Sequence, residues 1–252
     1  MLARFSFDPF DWLTRPTLRN RPMPDQAPDQ ANEKQLAAAA AVQELADGMV
    51  VGLGSGSTSA LAIRAIGAAV KGGLDILGIP TSVASEQLAR ELGIPLTTLD
   101  EHPAVDLTID GADRFNDSLD LIKGGGGALL REKVVAAASK RFIVITDASK
   151  HANPLGGFPV PVEVIPFGVQ PVLQRFTDLN LNPVIRQTAA GVPFITDENN
   201  LIVDLQIAAV PDPTKLAEQL VTPGVVEHGL FIGLADEVLM GVGGGVQRFT
   251  AS

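Results

Sequence analysis

Asp110, Asp113, Lys123, four consecutive glycines and Glu132 fall within 23 positions. They lie in the run V-D-L-T-I-D-G-A-D-R-F-N-D-S-L-D-L-I-K-G-G-G-G-A-L-L-R-E-K, from Val105 to Lys133. Carboxylates can move protons, an ammonium group can hold developing negative charge, and glycines leave backbone N–H groups bare to a ligand. Residues 105–109 read as a strand, because β-branched and apolar side chains predominate. Asp110 and Asp113 then sit just past its carboxyl end, where open α/β sheets place their ligand crevices. Four glycines in a row suit neither a strand nor a helix interior. Residues 128–139 read as a helix, so the glycine amides lie at its positive end. Taken alone, Asp110-Gly111 is an ordinary turn and Arg131-Glu132-Lys133 an ordinary solvated helix face. Their order and spacing together are far more specific, and they bring acid, base, cation and anion-binding amides to one place.

A second glycine-rich stretch, Gly52-Leu53-Gly54-Ser55-Gly56-Ser57-Thr58, lies between an apolar strand and a helical run. It lacks the lysine of a Walker loop. It also has serine where the dinucleotide fingerprint has its third glycine. Glycine amides, hydroxyls and a helix N-terminus still make an anion cradle. The bland alternative is a strand-to-helix turn with a serine cap.

These segments resemble the type A ribose-5-phosphate isomerase family. The resemblance rests on D-G-A-D (Asp110 to Asp113), K-G-G-G-G-A-L-L-R-E-K (Lys123 to Lys133), I-T-D-A-S-K (Ile145 to Lys150) and the loop from Gly52 to Thr58. It extends through F-P-V-P-V-E-V-I-P (Phe158 to Pro166) and P-G-V-V-E-H-G-L-F (Pro223 to Phe231), and covers roughly residues 32–250. The family usually has threonine where Ser55 stands, which keeps the hydroxyl and loses a methyl.

The resemblance implies an aldose–ketose isomerase that interconverts D-ribose 5-phosphate and D-ribulose 5-phosphate through an enediolate, in the non-oxidative pentose phosphate pathway. Glu132 is then the base, Lys123 stabilises the oxyanion, and Asp110 and Asp113 bind hydroxyls, with Asp110 also helping ring opening. Substrate binding falls to Lys34, Ser55, Gly56, Ser57, Thr58, Gly111, Ala112, Gly124, Gly125, Gly126 and Lys150, together with Asp110, Asp113 and Lys123. One carboxylate on one face can shuttle the proton, so neither a metal nor a cofactor is expected. The expected partner is the small sugar phosphate, in a homodimer or homotetramer, without nucleic acid or membrane.

Composition agrees. Nineteen basic against 29 acidic residues give a net charge of −10, the wrong sign for displacing counterions from nucleic acid. Cysteine is absent, which excludes thiolate zinc sites and cysteine nucleophiles. No apolar run reaches the ~18 residues that span a bilayer, and a cytoplasmic location is expected. His102, His151 and His228 lack metal-ligand spacing, and His228 reads as structural. The alternative function is a sugar-phosphate sensor that kept the fold and lost catalysis. Such a sensor should carry a basic DNA-binding module and lack a catalytic residue, and neither feature is seen.

The elements that must position these residues alternate. Helix, strand, helix, strand and helix follow one another over residues 33–46, 49–53, 57–70, 74–79 and 83–92, with Asn32 as the first cap and Gly93 as the last stop. Strands at 105–109 and 142–146 complete the pattern of an α/β fold: a Rossmann-like parallel sheet with helices on both faces. After Lys150, prolines and glycines break the rhythm. A helix with Pro171 in its first turn, a strand at 201–205 and a helix opened by Asp212-Pro213 suggest a smaller α+β lid domain. The expected division is 31–155 with 229–252 as the large catalytic domain and 156–228 as the lid. Strands near 230–232 and 237–242 are expected to rejoin the main sheet. Residues 1–30, with five prolines and Phe5, Phe7, Phe10 and Trp12, are expected to form a disordered extension.

Overall fold

The computed structural model of the protein describes residues 29–250. The expected extension therefore lies outside the described residues as far as residue 28. Asp29 and Gln30, counted with it above, instead open the first helix. The Asp29 side chain accepts from Asn32 N at 3.2 Å, so the cap lies one turn earlier than Asn32.

The chain runs α1 (Gln30–Val42), β1 (Met49–Leu53), α2 (Ser57–Lys71), β2 (Ile76–Pro80), α3 (Val83–Leu92), β3 (Leu107–Gly111), β4 (Arg114–Phe115), β5 (Leu121–Ile122), α4 (Leu129–Ala137) and β6 (Phe142–Asp147). It continues through β7 (Leu155–Gly156), β8 (Val160–Val164), α5 (Val169–Asp178), β9 (Pro183–Ile185), β10 (Leu201–Leu205), β11 (Ala209–Val210), α6 (Pro213–Leu220), β12 (Val225–His228), β13 (Leu230–Phe231), β14 (Glu237–Val242) and β15 (Gly245–Thr250).

Six strands form the main sheet, in the order β15-β14-β6-β3-β1-β2. All neighbours are parallel except the β14–β15 hairpin. Parallel strands buried on both faces need apolar residues on both, and every residue of β6 is buried. Alternation sorts them. Phe142 and Val144 pack with Phe115, Ala136 and Met240 on one face, while Ile143 and Ile145 pack with Ala37, Ala41 and Leu239 on the other. The alanines let α1 lie close to the sheet, close enough that a Cβ on Gly241 would overlap the Glu33 backbone.

A second sheet, β12-β8-β10-β9, is antiparallel and lies wholly within residues 160–228. Its core joins Val162, Val164, Val203 and Leu205 to Val172 and Phe176 of α5 and to Leu216 and Leu220 of α6.

The expected return of residues 230–232 to the main sheet is wrong. β13 pairs with β5, which pairs with β4, in a small sheet of its own. Phe231 and Leu121 of that sheet belong to the same core as Phe142. It therefore shares with α4 the task of covering the face opposite α1 and α2, where helices alone were expected. The hairpin strand β15 was not anticipated. Its outer residues are largely exposed, so it lacks the apolar run of a buried strand. Among the described residues, no helix is long and apolar enough to cross a membrane.

Candidate active site

The sheet order changes direction at β1. The chain passes from β1 to β2 on one side, and β3 lies on the other. A crevice opens beyond the carboxyl ends at such a point. Asp110, inside the end of β3 rather than past it, fills its floor. Gly54, just after β1, makes room for it, since a Cβ there would overlap the Asp110 carboxylate.

Asp110 is 1% exposed. Its Oδ1 accepts from Ser55 N (2.9 Å), Ser59 Oγ (2.9 Å) and Gly111 N (2.7 Å). Its Oδ2 accepts from Lys123 Nζ at 3.0 Å. Four donors fill the positions a carboxylate offers. The sequence reading sets Asp110 against substrate hydroxyls; the geometry sets it behind Lys123, as the group that holds the ammonium in place.

Lys123 is buried and also donates to Gly111 O at 2.5 Å. Its Nζ lies 3.4 Å from Glu132 Oε2. Burial disfavours the Lys123 charge, but Asp110, Glu132 and Asp113 outweigh it and hold the ammonium above its ordinary pKa. Glu132 stands in the first turn of α4. Burial pushes its carboxyl up to about 8, with Lys123 opposing and Asp110 and Asp113 adding to the rise. Its Oε2 has no hydrogen-bond partner. A buried base poised near neutrality, with only the Lys123 ion pair on its Oε2, is suited to taking a proton from carbon.

Glu132 and Lys123 line a small cavity of ≈ 100 Å³, with Lys34, Ser55, Gly56, Ser57, Thr58, Gly111, Ala112, Asp113, Gly124, Gly125, Gly126 and Lys150. The cavity thus collects every expected site residue except Asp110. At one end stands the N-terminus of α2, which no side chain caps. Lys34 Nζ reaches to 3.5 Å from Ser57 Oγ and 3.7 Å from Asp147 Oδ2. Uncapped amides flanked by two lysines make an anion site. The Ser55 hydroxyl is turned away from it, engaging Thr81 Oγ1 at 2.8 Å and Ser82 Oγ at 2.7 Å. Asp113 accepts from Gly125 N at 2.7 Å, across the same cavity.

His228 lies outside this ring. Burial, with Lys133 beside it, pushes its imidazole down to about 4, so it is neutral near pH 7. A larger, more open cavity of ≈ 1110 Å³ lies along α3, the loop after it and α4. It holds neither Glu132 nor Lys123. Sequence reasoning missed Ser59, Asp147, Arg186 and Asp204. Ser59 was within reach as the third hydroxyl of Ser57-Thr58-Ser59 and Asp147 as the acid of I-T-D-A-S-K, whereas Arg186 and Asp204 carry no local signal.

Residues 77–245 match the family model of ribose 5-phosphate isomerase A (phosphoriboisomerase A). The chain belongs to the ribose 5-phosphate isomerase A family. A ribose-5-phosphate isomerase A from a Synechococcus strain is 52% identical over 223 residues, covering 87% of this chain and 97% of the relative. A solved ribose 5-phosphate isomerase A from Methanocaldococcus jannaschii superposes with a TM-score of 0.82 at 41% identity, over 86% of this chain and 97% of that one. A solved D-ribose-5-phosphate isomerase in complex with phospho-erythronic acid gives 0.85 at 37% identity, over 88% and 99%. The whole length of these family members is thus represented in this chain.

Proposed function

We propose that this cavity interconverts D-ribose 5-phosphate and D-ribulose 5-phosphate, within the non-oxidative pentose phosphate pathway. The observation that carries the reading is Glu132, buried with its Oε2 3.4 Å from the Lys123 ammonium, in one cavity with an uncapped helix end, Lys34 and Lys150. Phosphate rests on the amides of α2, near Ser57 and Thr58. Glu132 takes the proton from C2 of the open-chain aldose. The C2–H electrons form the C1–C2 double bond and the carbonyl pair moves onto O1, giving an enediolate. The Lys123 ammonium stabilises that charge, which is greatest as it develops. A proton passes from O2 to O1, and Glu132 returns its proton to C1, leaving the ketose. Asp113, facing the cavity, binds hydroxyls; Asp110 acts through Lys123.

Residues 31–155 with 229–252 form the catalytic body in this reading, and 156–228 the lid. The confinement of the second sheet to 160–228 supports that division. Self-association as a homodimer or homotetramer belongs to the same reading. Phe167 and Val221, 97% and 72% exposed, are apolar surface that association can cover, and sedimentation tests it. A cytoplasmic location belongs to the same reading, and cell fractionation tests it.

The decisive experiment is a coupled assay of ribulose 5-phosphate formation, run on the wild type and Glu132→Gln. Wild-type turnover and a ~10²–10⁴-fold loss in the variant are expected, the range for removing a general base. A folded wild type that binds ribose 5-phosphate without turning it over would establish the sensor alternative instead.

A further inference from the structure

Arg186 follows β9 in the second sheet, yet its guanidinium reaches the glycine run. Its Nη1 donates to Gly124 O at 2.8 Å and to Gly125 O at 2.9 Å. Its Nε and Nη2 are held by the two oxygens of Asp204, at 2.9 and 2.5 Å. Both side chains are 14% exposed. Phe194 completes the contact: its N donates to Arg186 O at 2.9 Å, and its ring lies 5.9 Å from the guanidinium. The same ring packs where a Cβ on Gly127 would be, at a residue whose φ of +80° already favours glycine.

The two gripped carbonyls belong to the peptide units that carry the N–H groups of Gly125 and Gly126. In a planar trans peptide the C=O and N–H point in opposite directions. Drawing both carbonyls toward Arg186 therefore turns both N–H groups toward the cavity. The Gly125 N–H is found there, on Asp113 Oδ2 at 2.7 Å. Gly126 faces open space, with nothing within 4 Å of the position of a Cβ. A cation on a carbonyl also polarises the peptide and strengthens its N–H as a donor.

We infer that Arg186, fixed by Asp204, is a positioning residue. It aims the Gly125 and Gly126 amides, and through Gly125 the Asp113 carboxylate, at the reacting end of the substrate. The inference rests on the isomerase reading above and deepens it: the second sheet sets the geometry of the oxyanion end, while the α2 end holds phosphate without its help.

Arg186→Lys tests this. The variant keeps the charge but cannot fork to two carbonyls and a carboxylate at once. The probes are phospho-erythronic acid, whose carboxylate places charge near where the enediolate carries it, and inorganic phosphate, which reports on the α2 end alone. A ~10²-fold fall in kcat is expected, the cost of misplacing reacting groups by about 1 Å, with KM within about threefold, as for an interaction made in the transition state. Phospho-erythronic acid should weaken with kcat, and inorganic phosphate should bind as in the wild type. Asp204→Asn should change the same quantities in the same direction by a smaller factor, and it carries the test if Arg186→Lys does not fold. Wild-type kcat in the variants, or equal weakening of both probes, overturns the inference. Wild-type turnover tests the isomerase reading by itself, and the two probes decide on Arg186 even where turnover is absent.

Discussion

Glu132 carries opposing demands. It must be buried to be a strong base toward carbon, and burial makes its charged form costly. Folding raises its carboxyl from 4.5 to about 8, so the folded protein prefers the neutral acid. That contribution to stability is complete below about pH 4.5 and is lost as pH climbs through about 8. Glu132→Gln has no such proton to lose. Its melting temperature relative to wild type should therefore rise between about pH 5 and about pH 8 and level off above. A difference that stays flat across that range would mean the wild-type carboxylate is already ionised at low pH. Glu132, Lys123 and Asp113 were legible because their types and spacing make sense only together. The place of Asp110 was not. Two of its four donors come from α2 and from the loop after β1, more than 50 residues upstream, and a strand-end aspartate reads the same whether it faces substrate or supports a lysine. Arg186 and Asp204 were illegible for a similar reason: 18 residues apart, they meet only once β9 and β10 are paired.

In the proposed isomerisation, helix α2 and the segment from Lys123 to Glu132 divide the work between elements. The first offers amides that the phosphate needs throughout the reaction; the second brings the groups whose contribution grows as charge develops on oxygen. Replacing Ser57 and Thr58 together by alanine should thus raise KM about tenfold, the effect of losing one hydrogen bond to a charged group, and leave kcat within about twofold. A matching loss in kcat would show that phosphate and oxyanion ends are not separable. Helix and strand periods marked α2, α3, β1 and β10 to within a residue or two, because β1 and β10 are buried runs, Gly93 stops α3 and a glycine-rich break precedes α2. The two-residue strands β4 and β5 were invisible, and β13 was expected as a strand but in the wrong sheet. Their pairing depends on Leu121 and Ile122 finding Phe231 and Leu230 far along the chain, not on any local pattern.

At the scale of the whole molecule, the parallel sheet followed from the alternation of strands and helices, and the crevice from the place where strand order reverses. What the alternation did not reveal is how the second sheet touches the site, since its contacts there include Arg186 on two backbone carbonyls and Lys133 on Glu227 and His228, none of them a local pattern. The uncapped start of α2 has one more consequence, for the life of the protein rather than its reaction. In the free protein several amides there have no side-chain acceptor, and a bound phosphate supplies the missing cap. Any ligand that binds only the folded state adds stability by mass action, about 2.7 kcal/mol at a hundred times its dissociation constant. With phosphate held there as proposed, the protein is expected to be harder to unfold and slower to be degraded where pentose phosphates are plentiful. Its abundance would follow the supply of its own substrate, with no regulator and no change in transcription. Limited proteolysis of the purified chain should slow as inorganic phosphate is added, and an unchanged rate at saturating phosphate would remove this link between supply and survival.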